Sequence, residues 1–203
     1  MIENKIKLNI ITNRKLCENE NLEKQIEKIF SAYQRKIILE NFEIVALTLR
    51  EKDLYKNEYL KLVEKIYPIC QKYRIDLILH QNYDLGLDNK YNIKGLHLSY
   101  NTFKSLNKNI REELIKKYKK IGVSIHSIDE AKEVENLGAN YIIAGHIFKT
   151  DCKKDLEPRG LKFIQELLTI PTFAIGGMNQ ENSHLVINSG AFGVCMMSSL
   201  MKH

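Results

Sequence analysis

One imidazole, several cations and a set of glycines and small polar residues carry the chemistry that this sequence offers. His146 follows Gly145 at the end of an apolar run, and Thr150, Lys153 and Lys154 follow in a charged loop that closes at Arg159-Gly160. Histidine titrates near neutral pH, so His146 is a candidate general acid/base. Arg50 and Lys52 stand just after another apolar run and offer positive charge to an anionic ligand. Gly176-Gly177 lets the backbone approach a ligand closely. Met197-Ser198 opens a final helix, whose first N–H groups suit an anion. Asn82 and Ser124, at the ends of two further apolar runs, add neutral hydrogen-bonding groups. No carboxylate cluster accompanies His146, which argues against a site for a hard divalent cation, and no metal ligand is assigned. Together these residue types suit a small phosphorylated molecule.

The totals narrow the class. The chain has 203 residues, net charge +6, 44% hydrophobic and 28% charged residues. This is an ordinary globular composition, long enough for one domain with a full core, and 1–203 is read as a single domain. A nucleic-acid binder would gather its basic charge on one face. Here Lys and Arg are interleaved with Glu, so nucleic acid is not expected as a partner. Cys17, Cys70, Cys152 and Cys195 form no CxxC pair, which speaks against a zinc or redox motif. Cys70 and Cys195 sit in apolar runs and should be buried; Cys152 lies in the charged loop. No apolar run approaches the ~20 residues of a membrane span, and the first residues lack a signal-type apolar region. A cytoplasmic protein is expected.

The positioning elements alternate. Strands are expected at 6–12, 43–49, 76–79, 95–98, 122–126, 141–148, 171–175 and 193–197. Helices are expected at 21–35, 53–73, 110–120, 127–137, 159–168 and 179–189, with a short final helix from Ser198. Asp53 is the expected N-cap of the second helix, and Pro68 should kink it. Ser127 and Glu130 have capping-box spacing. Residues 84–89 form a short Gly-containing segment. The strand runs are apolar on both faces, as in a buried parallel sheet. Eight β/α units in a chain of this size predict an α/β fold, a single (β/α)8 TIM barrel with a short final helix.

In such barrels the site lies at the C-terminal ends of the strands. His146 and His80 should therefore face the mouth. His97, inside an apolar run, reads as a core group, and His126 as a structural residue beside a helix cap. His184 and His203 read as exposed.

Four segments, GVSIHSIDEA, GHIFKTDCKK, PTFAIGGMNQEN and GAFGVCMMSSL, resemble the thiamine phosphate synthase/TenI superfamily. The likeness is dense from Gly122 to Leu200 and thinner from Thr48 to Tyr100. It implies a (β/α)8 barrel, a homodimer and a thiazole phosphate-type ligand. The implied ligand contacts are Arg50, Lys52, Asn82, Ser124, Thr150, Lys153, Gly176, Gly177, Met197 and Ser198.

Two activities divide that superfamily. Its synthases join a hydroxymethylpyrimidine diphosphate to a thiazole phosphate and release pyrophosphate. They hold Mg²⁺ with an Asp in an Asn-Asp pair after strand three and an Asp in Gly-Gln-x-Asp after strand four. Here the first pair reads Asn82-Tyr83, with Asp84 one place late, and the second reads Ser99-Tyr100-Asn101-Thr102. Of the Gln-x-Arg-x-Lys motif, Arg50 and Lys52 remain while Thr48 replaces the Gln. The TenI branch is a metal-independent thiazole tautomerase marked by His in Gly-His-(Val/Ile)-Phe, here Gly145-His146-Ile147-Phe148. The sequence reading is therefore an isomerase with His146 as general acid/base and no cofactor. Its alternatives are a Mg²⁺-dependent synthase and a non-catalytic, ligand-binding regulatory relative.

Overall fold

The computed structural model describes residues 5–84, 91–167 and 169–202. Eight parallel strands close into a barrel: β1 (Ile6–Ile11), β2 (Phe42–Leu49), β3 (Asp76–His80), β4 (Gly95–Ser99), β5 (Lys120–Ile125), β6 (Tyr141–Gly145), β7 (Thr172–Ile175) and β8 (Gly193–Met196). Each pairs in parallel with its neighbour in sequence, and β8 returns to pair with β1. The expected (β/α)8 barrel is thus the observed fold.

Strand periodicity divides the core in two. Leu8, Ile10, Leu47, Leu49, Ile142 and Val194 belong to the large layer between barrel and helices. Their neighbours of opposite parity, Ile11, Ala46, Ile78, Tyr141, Ile143, Phe173 and Cys195, form a separate cluster inside the barrel. Asn9 and Thr48 also point inward and satisfy each other by a 2.9 Å hydrogen bond. Gly122 makes room for the largest interior side chain. A Cβ there would sit 2.0 Å from the Tyr141 ring.

The outer helices are α1 (Leu22–Gln34), α2 (Lys56–Tyr73), α3 (Tyr100–Ser105), α4 (Lys108–Lys117), α5 (Ile128–Asn136), α6 (Gly160–Gln165), α7 (Ser183–Asn188) and α8 (Ser198–Met201). Side chains satisfy several of their first N–H groups, at 2.9 Å for Asn21 on α1 and 3.1 Å for Ser127 on α5. The α5 start departs from a closed capping box, because Glu130 accepts from His126 N–H. α2 begins at Lys56, not Asp53, and runs past Pro68 to Tyr73. Asp53 is drawn off by ion pairs to Arg14 at 2.7 Å and Lys15 at 2.9 Å. The expected helix 110–120 is α4, which stops at Lys117 so that β5 can start at Lys120. α3 was not expected; Ser99 caps it and only Phe103 is buried on it. β6 ends at Gly145, three residues early, although Ile147 and Phe148 still donate to the end of β7. The segment 85–89, the helix end at Leu168 and His203 lie outside the described residues. No described helix is long and apolar enough to cross a membrane.

Candidate functional site

The inward parity of the strands, continued past their C-terminal ends, builds a cavity of about 510 Å³. From β2 come Thr48, Arg50 and Lys52; from β5 come Ser124 and His126. Gly145 enters at the end of β6 and His146 just after it, with Thr150 and Lys153 on the loop beyond. Gly176 and Gly177 close the β7 side, and Met197 and Ser198 the β8 side. A second cavity of about 550 Å³ lies outside the same loops and shares Thr150, Lys153, Gly177 and Ser198. Asn82 does not line the main cavity. Its side chain donates to His80 O at 3.1 Å, and Gln81 faces the ligand space instead.

Gln81 and His97 were not among the expected site residues. Counting back by two from Ser99 places His97 inside the barrel, and this alternation is the signal that would have found it. His97 is 2% exposed and stacks on His80 with ring centres 6.0 Å apart. Its Nε2 lies 2.7 Å from Ser124 Oγ. His97 Nδ1 and Gln81 Oε1 have no protein partner, nor does the Tyr141 hydroxyl beside them. Burial drives both imidazoles toward the neutral form, to a pKa of about 3 at His97 and about 2 at His80. The floor of the cavity is therefore uncharged and rich in unsatisfied hydrogen-bonding atoms.

The rim is different. The nearby charge of Arg50, then burial, then Lys153 hold the Lys52 ammonium below its usual pKa. Three cations thus border the cavity near enough to repel one another. Behind them Glu51, 4% exposed, fixes the β2 loop. It accepts from Thr12 Oγ1 at 2.7 Å and from Arg14 N at 3.1 Å, and Thr12 Oγ1 in turn accepts from Arg50 N at 2.9 Å. Glu51 points away from the cavity, while its neighbours Arg50 and Lys52 point in.

His146 is 5% exposed and held by backbone on two sides. Its Nε2 lies 3.2 Å from Leu156 O. A carbonyl oxygen only accepts, so Nε2 carries the proton. His146 O accepts from Arg159 N at 3.0 Å. Gly176, at φ +99°, packs against it so closely that a Cβ there would lie 2.2 Å from His146 Cβ. His146 therefore ties the β6 loop to the β7 turn.

The donor set at the strand ends does not fit magnesium. Among the described residues no Asp or Glu lines the main cavity. At the ends of β3 and β4 the described groups that line it are His80, Gln81, His97 and Ser99. Asp84 is exposed and ion-paired with Lys56 at 2.8 Å, and Glu51 is committed as above. No three His, Cys, Asp or Glu among the described residues are grouped to hold a metal ion. Mg²⁺ prefers carboxylate and phosphate oxygens, and neutral imidazoles are poor substitutes.

Residues 8–200 match the family model described as thiamine monophosphate synthase. The chain belongs to the thiamine monophosphate synthase family. A thiamine-phosphate synthase of Clostridium acetobutylicum is 32% identical over 198 residues, 96% of this chain and 87% of that protein. One from Clostridium botulinum is 31% identical over 96% of this chain and 89% of its own length. Among solved structures, a thiamine phosphate pyrophosphorylase from Pyrococcus furiosus superposes with a TM-score of 0.77 over 100% of this chain and 91% of its own. At 24% identity that likeness speaks for the fold.

These relatives overturn the isomerase reading, since they carry the synthase name. The local structure supplies a reason for the misreading. The Gly-His-Ile-Phe segment suggests a general acid/base in sequence, yet Nε2 of that histidine is engaged with a backbone carbonyl.

Proposed function

We propose that this member of the family is a thiamine phosphate synthase that joins a hydroxymethylpyrimidine diphosphate to a thiazole phosphate. The C–O bond between the pyrimidine methylene and the diphosphate breaks. The thiazole nitrogen lone pair forms the new C–N bond, and pyrophosphate leaves with the bonding electrons. The observation that carries this reading is the cavity's polarity: an uncharged floor beneath a rim of three cations. The neutral floor suits a flat heteroaromatic ring, with Ser124, His97 and Gln81 offering hydrogen bonds to its edge. Arg50, Lys52 and Lys153 stabilise the charge that develops on the departing diphosphate.

The loops after β7 and β8 are assigned to the thiazole phosphate. Gly177 and Ser198 border both cavities, and Lys153 lies beside them. Because α8 is one turn long, local N–H groups and Lys153 supply the attraction rather than a long helix dipole. His146 acts as a positioning residue that holds the β6 loop. A cytoplasmic homodimer completes the reading, and light scattering tests the dimer. Purified protein should form thiamine phosphate and pyrophosphate in equal amounts from the two substrates. Absence of product with both substrates saturating would end the proposal.

A further inference from the structure

We infer that this chain binds the diphosphate group on side-chain cations alone, with no carboxylate-held divalent cation between protein and ligand. The inference rests on the proposed reaction only for its choice of ligand. Magnesium normally does two things for a diphosphate: it cancels charge, and it is itself anchored to the protein by carboxylates. The second role has no counterpart among the described residues. At the ends of β3 and β4 the cavity presents two imidazoles, an amide and a hydroxyl. Both imidazoles are buried and held neutral. Ser99 Oγ is engaged with Thr102, where it caps α3. Among the described acids near these strand ends, Glu51 is engaged by Thr12 and Arg14, Asp84 by Lys56 and Glu130 by His126 N–H.

The first role is filled by side-chain cations over the same mouth. Arg50 and Lys52 enter from β2 and Lys153 from the β6 loop, and all three border the cavity. Glu51, between the first two in sequence, is turned outward and buried. The three cations are close enough that Arg50 and Lys153 each disfavour the charge on Lys52. An anion relieves that repulsion, and a diphosphate brings enough negative charge to meet all three. A bound Mg²⁺ would instead add to the crowding of positive charge. The site has thus exchanged a metal for side chains.

Calorimetry with inorganic pyrophosphate and the full chain tests this. In EDTA, pyrophosphate should bind, and replacing EDTA by millimolar Mg²⁺ should not tighten binding. Mg²⁺ titrated alone should give no saturable heat. Binding in EDTA should weaken as ionic strength rises, as expected of direct charge pairing. Lys52→Met and Lys153→Met should each weaken it roughly tenfold to a hundredfold, the scale of one charge-assisted contact. The wild-type comparison needs no variant to fold. Pyrophosphate that binds only with Mg²⁺ present, or saturable binding of Mg²⁺ alone, overturns the inference. Metal-free pyrophosphate binding by a protein that makes no thiamine phosphate leaves the inference standing and removes the proposed reaction. An active synthase that requires Mg²⁺ to bind pyrophosphate does the reverse.

Discussion

Lowering the pH should destabilise this barrel through its floor, and His97→Gln should relieve part of the loss. The buried His97 ring has its pKa pushed down to about 3 by desolvation, against about 6.5 in an unfolded chain. Between those values the unfolded state binds a proton that the folded state does not. Stability therefore falls as pH drops below about 6.5, and this contribution stops growing near the folded value. At about pH 5 the unfolded imidazole is protonated by about 1.5 pH units of driving force. At 1.36 kcal/mol per unit, His97 alone costs about 2 kcal/mol relative to pH 7. His80, down to about 2 and stacked on the same ring, acts in the same direction. The wild type should lose roughly 2–4 kcal/mol from this pair, because two adjacent buried rings do not titrate independently.

Urea unfolding at about pH 7, 6 and 5 measures it. Glutamine keeps a hydrogen-bonding group near Ser124 Oγ but cannot titrate in this range. Carboxylates also change protonation here, but they are common to both proteins and cancel in the difference. The variant should lose about 2 kcal/mol less than the wild type between pH 7 and 5. Equal losses in the two proteins would refute the claim that a neutral, desolvated imidazole sits on the barrel floor.

Gly176→Ala should destabilise the fold by roughly 2–5 kcal/mol in urea unfolding, combining a positive-φ penalty with overpacking against His146. A loss below ~1 kcal/mol would show that the β7 turn is not held as described. Ser198→Asp should weaken binding of thiazole phosphate roughly tenfold or more by placing a carboxylate at the proposed phosphate position. Unchanged affinity by calorimetry would count against phosphate binding there.

The alternation of apolar runs with amphipathic ones made the barrel legible, because a strand buried on both faces and a one-sided helix differ in period. Ends were harder to read. Asp53 has the right chemistry for a cap, but Arg14 and Lys15, about forty places earlier, compete for its carboxylate. A distant partner of that kind leaves no trace in local pattern. α3 escaped notice because a single buried residue, Phe103, gives no period to detect. Inside the barrel the error was one of bookkeeping. His97 looks like a core residue among leucines, yet its neighbours Leu96 and Leu98 face the helices while it faces the cavity. The same parity separates outward-facing Glu51 from Arg50 and Lys52, whereas Gln81 reaches the ligand space against it, because its φ of +65° breaks the alternation just past β3.

The functional misreading has a physical root of the same kind. Two sequence features, absent acids and a histidine after Gly145, together suggest a metal-free isomerase. The structure separates them. The scarcity of cavity-facing acids among the described residues is a property of the mouth itself, set by which side chains the strands aim inward. The histidine belongs to a different problem, that of holding a loop whose backbone turns sharply against Gly176. Once His146 is read as a tie between loops, the lack of cavity-facing acids among the described residues no longer argues for proton transfer. It poses the narrower question of how a synthase's diphosphate is met, and Arg50, Lys52 and Lys153 are the charges placed to meet it.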